Sequence, residues 1–311
     1  TGIYNAWISF DDLALANQLS FYLLIFILGL FLLENISRKK AQYHSTTKGG
    51  FKKKSLTTLH GYKAILAFSF CFLIFFISFL FPVLQMLYWT IIFPKHLIDL
   101  DLISLFSNTI ILVLFSSFVL ISFAFISNYG NRLSRSKFLE ILNTLSISGY
   151  AVPGIILAVA FITFISWFDN NIISFFDIKN IKSIFIGSIL GLVIVYFIRF
   201  YSLASNGIKS GYLKINYSID ESAYLLGYSK FKTFKNIHIP YLKNSILLIG
   251  ILISIEVIKE LPITLIMRPF NFETFATQAY IYASQDLLEA AAAPSLFLIL
   301  IASFFILITS R

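Results

Sequence analysis

Few residues in this sequence are placed to do chemistry, and three of them sit within two helical turns. Glu256, Lys259 and Glu260 stand three and four residues apart in an otherwise apolar stretch, so a helix would present all three on one face. Ionisable groups in such a stretch are costly and turn toward a protein interior or a water-filled cavity. The spacing fits two roles: a gate or pathway lining, and an ion-paired strut at the end of the helix. Pro262, just beyond, and Pro153-Gly154, in another apolar run, are expected to bend or break their helices. The histidines, His44, His60, His96 and His238, are scattered without metal-ligand spacing and read as ordinary loop residues. The lone Cys71 lies in an apolar run and can form no intrachain disulfide. With no Ser–His–Asp set and no paired carboxylates, no catalytic residue and no metal site is assigned, and the chain is expected not to be an enzyme.

The elements that must hold these groups are membrane spans. Of 311 residues 58% are hydrophobic and 13% charged, with a mean hydropathy of +0.84, whereas about a quarter of a soluble domain is charged. Seven apolar segments approach or reach the roughly 20 residues that cross a bilayer: 13–33, 64–89, 102–127, 141–168, 183–201, 246–267 and 290–310. The predicted fold class is an all-α polytopic membrane protein. The first segment follows two Asp and lacks a basic leader, so it reads as a span and not as a signal peptide.

Alternating the loops divides the 24 Lys and Arg into nineteen on one side and five on the other. The rich side holds eight residues from Arg38 to Lys63, then Arg132, Arg135 and Lys137, seven between Arg199 and Lys243, and Arg311. The poor side holds Lys95, Lys179, Lys182, Lys259 and Arg268. Basic loops face the cytoplasm, which puts the N-terminus outside and the C-terminus inside. The net charge of +9 then reads as topology determinants facing anionic lipid, with no nucleic-acid partner.

The two ends of the sequence resemble each other. Thr1, Tyr4, Asp12, Leu13 and Ala16 recur as Thr277, Tyr280, Asp286, Leu287 and Ala290, with a two-residue gap, and an apolar span follows each set. Together with an odd span count and an outside N-terminus that is not Met, this suggests an internal repeat. Residues 1–33 would carry an outer loop and the last span of a first half. Residues 34–63 would be a basic cytoplasmic linker, and 64–311 a second, six-span half.

The cytoplasmic segment 202–245 is the most informative. Ser218 and Glu221 have capping-box spacing, Gly227 can end a helix in the left-handed conformation, and Ser229 can cap a second one. The pattern predicts two short helices across the membrane surface, the first over 221–226, packed by Ala223, Leu225 and Leu226. Glu221-Ser222-Ala223, Gly227 and Ile237-x-Ile239-Pro240 resemble the coupling loop of ATP-binding-cassette importer permeases, Glu-Ala-Ala, three residues, Gly, nine residues, Ile-x-Leu-Pro. Every spacing matches; Ser222 and Ile239 replace Ala and Leu. The resemblance implies that this loop docks into a groove on a separate cytoplasmic ATPase dimer, which would bind ATP and Mg. The chain has no Gly-x-x-x-x-Gly-Lys-Ser/Thr loop of its own, so no cofactor is expected on it. It also implies an external, periplasmic substrate-binding protein, a first permease half, surrounding lipid and a bacterial inner-membrane location.

The stretch from Glu256 to Thr277, with Ala151-Val-Pro-Gly154 and Phe81-Pro-Val-Leu-Gln85, is similar to ferric iron importer permeases, in which two six-span halves are commonly fused. Permeases for thiamine, polyamines and other small solutes share much of it. A secondary transporter or channel is the rival from another class, and would leave the loop spacing to coincidence.

Overall fold

In lipid a backbone must satisfy its own hydrogen bonds, so an unbroken apolar run has a helix as its natural form. The computed structural model describes residues 2–8, 10, 12–40, 58–134, 146, 148–175 and 185–309, and all regular structure among them is helical. Seven of these helices are long and apolar enough to cross a membrane. In chain order the elements are α1 (Gly2–Ile8), α2 (Leu13–Lys40), α3 (Tyr62–Ile92), α4 (Pro94–Ile98), α5 (Leu102–Ser134) and α6 (Gly154–Phe175). Then follow α7 (Ile189–Tyr212), α8 (Tyr217–Leu225), α9 (Lys230–Ile258), α10 (Pro262–Met267), α11 (Phe275–Ser284) and α12 (Leu288–Thr309).

Helices α5, α7 and α9 pack on one another and form the centre of the bundle. Leu120, Leu192, Tyr196, Phe200, Ile208, Leu242 and Ile253 are almost wholly buried in its core. On one side α2 lies against α6, where Asn17 Nδ2 donates to Thr163 Oγ1 at 3.0 Å. On the other, α12 packs against the second part of α3 and against α9. Phenylalanines such as Phe68, Phe118 and Phe164 stay exposed on the outside, as a surface solvated by acyl chains allows. Helix α3 has no buried residue.

Proline explains two local departures from α geometry. A proline inside a helix cannot donate and clashes with the carbonyl four residues back. In α3 a π turn, Phe76–Leu80, precedes Pro82, and Phe81 N–H bonds to Phe76 O. In α9 the same device, Phe234–His238, precedes Pro240, and Ile239 N–H bonds to Phe234 O. The short helix capped by Ser229 is thus continuous with the sixth span and does not lie separately across the surface.

Several span boundaries differ from expectation. The fourth span begins at Gly154, after a 3-10 turn at Ser148–Ala151 and Pro153; residues 141–145 lie outside the described part. The fifth runs on through Arg199 to Tyr212, because that arginine finds a buried partner. Arg199 therefore leaves the cytoplasmic charge tally. Also outside the described residues are 41–57 of the linker, Arg135, Lys137, Lys179, Lys182 and Arg311.

Candidate functional site

After α7 the chain turns at 213–215, burying Ile215, and Asn216 caps α8 by accepting from Ser218 N–H at 3.4 Å. The cap is therefore Asn216 and not Ser218: Asn216 is the last extended residue, and Ser218 and Glu221 lie inside the helix that starts at Tyr217. Gly227 N–H closes on Tyr224 O and Tyr228 N–H on Ala223 O, both at 3.0 Å. Gly227 has φ +82°, so its lack of a Cβ is what lets the helix stop there. Ser229 caps α9 as expected, accepting from Lys232 N–H at 3.3 Å.

The packing of α8 corrects the expectation drawn from its sequence. Ala223 is buried, but Leu225 and Leu226 are 89% and 79% exposed. The helix turns Asp220 and Ala223 to the bundle, which directs Leu225 away from it. Glu221, Ser222, Ile239 and Pro240 are exposed as well, and Ile237 is half-buried. Ser218, Ser222, Ala223, Leu226 and Ile237 line a shallow groove between α8 and the start of α9.

What holds α8 in place was not legible in the sequence. Arg132, at the end of α5, puts its Nε 2.6 Å from Asp220 Oδ2. Its other two nitrogens donate to the carbonyls of Ile215 and Asn216 at 3.0 Å, and its guanidinium lies 4.3 Å from the Tyr217 ring centre. His238, in the π turn of α9, places Nε2 3.0 Å from Asp220 Oδ1. It is fully buried between the rings of Tyr129 and Tyr212, so it is no ordinary loop residue. Tyr129 donates to Lys230 O at 2.6 Å. One carboxylate thereby ties α8 to α5 and α9. Arg132 counted only as a topology charge because its partner is 88 residues away; the adjacency of Asp220 to Glu221 was the one available signal.

The charged stretch further on also differs from expectation. Helix α9 ends at Ile258, and Glu260 N–H bonds to Val257 O in a tight turn, so Glu256, Lys259 and Glu260 do not share one helical face. Lys259 Nζ pairs with Glu256 Oε1 at 2.8 Å, with the lysine side chain 55% exposed. Glu260 is buried and pairs instead with Arg199, Oε2 to Nε at 3.3 Å. Its Oε1 accepts from Ile263 N–H at 3.4 Å, capping the helix that Pro262 begins. The Thr264 hydroxyl bridges Glu260 O and the Tyr196 hydroxyl. Arg199 also donates to Val152 O at 2.9 Å.

The expected breaks at Pro153-Gly154 and Pro262 thus meet at one place. A Cβ on Gly154 would come 2.5 Å from Glu260 Oε1 and 3.1 Å from Arg199 Nη1, so a side chain here would displace the ends of that pair. Arg199 lies ten residues into α7, roughly 15 Å from its first residue at 1.5 Å per residue, near the middle of the helix. Among the described residues no cluster of His, Cys, Asp and Glu could hold a metal ion.

No family model matches the chain. It is 23% identical over 265 residues to the Fe(3+)-transport system permease protein FbpB 2 of Haemophilus influenzae. That alignment covers 84% of this chain and 50% of the relative, so the chain spans about half the length of the curated relative it matches. Among solved structures, it superposes on a chain of a bacterial alginate ABC transporter in complex with an alginate pentasaccharide-bound periplasmic protein. The TM-score is 0.63 at 16% identity, covering 79% of this chain and 92% of that one. A bacterial ABC transporter that imports the acidic polysaccharide alginate gives a TM-score of 0.60 at 17% identity, covering 80% and 94%. The likeness to these structures is one of fold, and the fold is that of an ABC importer permease.

Proposed function

We propose that this chain is membrane-spanning permease sequence of an ATP-driven importer, and that ferric iron is its cargo. The observation that carries the reading is α8: a surface helix held by three buried side chains, Arg132, Asp220 and His238, that nevertheless turns Leu225 and Leu226 outward. Apolar side chains on a rigid scaffold mark an interaction site. A cytoplasmic ATPase groove that receives Glu221, Ser222, Leu225 and Leu226 would supply it, with ATP and Mg bound on that partner. Gly227 turns the chain out of the groove, and Ile237, Ile239 and Pro240 lead it back into the sixth span. A secondary transporter would give these exposed leucines nothing to do.

In this reading the N-terminus is external and the basic segments face the cytoplasm of a bacterial inner membrane. Residues 1–33 close a first permease half, 34–63 link the halves, and 64–311 form the second. A periplasmic binding protein delivers the cargo and holds it with its own ligands, and the permease supplies a gated passage. Iron as cargo rests on the similarity to the Haemophilus influenzae permease. The test is uptake by cells lacking the full-length protein. Ferric iron uptake from a binding-protein-dependent source should fall. Unchanged iron uptake with lost uptake of thiamine or a polyamine would assign the cargo elsewhere.

A further inference from the structure

The two segments whose sequences repeat also fold alike. Each is a short helix, α1 or α11, that turns at an aspartate, Asp12 or Asp286, and packs as a hairpin on the span that follows, α2 or α12. Backbone bonds close both turns: Asp12 N–H reaches Ala6 O and Leu287 N–H reaches Tyr282 O, both at 3.0 Å; the acceptors Ala6 and Tyr282 occupy matching places in the two helices, while the donors are one position out of step. Tyr4 and Tyr280 are likewise mates. Their rings meet edge to face, with centroids 5.9 Å apart and planes at 84°.

Where two copies are related by a twofold axis, a residue that touches its own mate lies beside that axis. In transporters built from repeats the passage lies at the interface between the repeats. We infer that a pseudo-twofold axis runs between Tyr4 and Tyr280 and that this tyrosine pair closes the external mouth of the passage. The inference rests on the permease reading for what passes, but not for the symmetry.

The surroundings fit a closure. Tyr4 and Tyr280 are half-buried, while Ala6 and Ala276 of the same helices are buried. Burial raises the Tyr4 hydroxyl above its ordinary pKa, Tyr280 adds to this and the Arg268 charge opposes it. Arg268 is itself fixed by Glu273, whose other oxygen accepts from the Thr277 hydroxyl at 2.9 Å. Next to Tyr280 lies a mostly apolar cavity of about 400 Å³ lined by Trp89, Lys259, Tyr280, Ala283 and Ala292. Lys259, paired with Glu256, thus reaches the cavity beside the closure.

The test is to lock the pair. In the full-length protein with Cys71→Ser, Tyr4→Cys and Tyr280→Cys are joined by a short bifunctional thiosulfonate reagent. The cross-link should form in resting membranes, its yield should drop when ATP and vanadate trap the transport cycle, and uptake should be lost in the linked protein and return on reduction. Failure of the link to form would remove the contact and the axis. A link whose yield ignores ATP and vanadate, or linked protein that transports at the unlinked rate, would overturn the closure. Absence of ATP-dependent uptake in the unmodified protein would sink the permease reading instead, leaving the cross-link yield to decide the symmetry.

Discussion

The loop at 213–240 and the junction around Arg199 are both helix interruptions marked by proline and glycine and braced by a buried arginine–carboxylate pair. At the loop, Arg132 and His238 grip Asp220 while Leu225, Leu226 and Phe231 stand exposed. At the junction, Arg199 pairs with Glu260, the Thr264 hydroxyl bridges Glu260 O and the Tyr196 hydroxyl, and Gly154 packs against them. The same kind of brace serves two purposes. Where it leaves apolar side chains uncovered, it presents, in the proposed reading, a surface to a partner; where it leaves none, it sets the shape of the bundle.

The comparison can be broken by removing one charge at a time. Arg199→Met leaves the Glu260 carboxylate buried without its cation, and breaking a buried pair costs about 3–5 kcal/mol. The protein in detergent should unfold at a clearly lower temperature, and adding Glu260→Gln should recover much of the loss. If the double variant is no better than the single one, the two groups are not coupled.

Asp220→Asn should cost less, about 1.5–3 kcal/mol for hydrogen bonds to a charged group, and should act locally. Trypsin should then cut at Lys214 or Lys230 in inside-out vesicles, where the parent protein resists. A loop that stays protected would mean that Arg132 and His238 do not hold it. Lys259→Met should do least. Its pairing with Glu256 is largely exposed, and such pairs contribute about 0–1 kcal/mol. An unfolding shift as large as that of Arg199→Met would restore the expectation of one charged face.

The number and nature of the spans were legible because an apolar run of twenty residues has few other fates. Gly227 and Pro240 were legible for a similar reason: each imposes a backbone geometry that needs no partner to recognise. Helical spacing alone does not say which side of α8 meets the bundle, so Leu225 and Leu226 read as packing residues. The braces were hidden because each joins residues far apart in sequence. Arg199 looked like the cytoplasmic end of a span only because its carboxylate, Glu260, lies on the far side of a loop and another span. Glu256, Lys259 and Glu260 looked like one face because their spacing is helical, and the turn at 259–261 that separates them becomes visible only once Glu260 is seen capping α10.

The central claim, that the 213–240 loop is where an ATPase engages the bundle, meets its most direct test in co-purification. The full-length protein would be purified from its own cells as wild type, as Gly227→Val and as Leu225→Asp with Leu226→Asp, and the retained ATP hydrolysis measured. A left-handed backbone costs an ordinary side chain about 1–2 kcal/mol, enough to distort the end of α8 without unfolding seven spans. Wild type and the Ser222→Ala control should carry an ATPase. The other two should insert, keep the parent unfolding temperature and lose it. Full ATP hydrolysis retained by both variants would contradict the account.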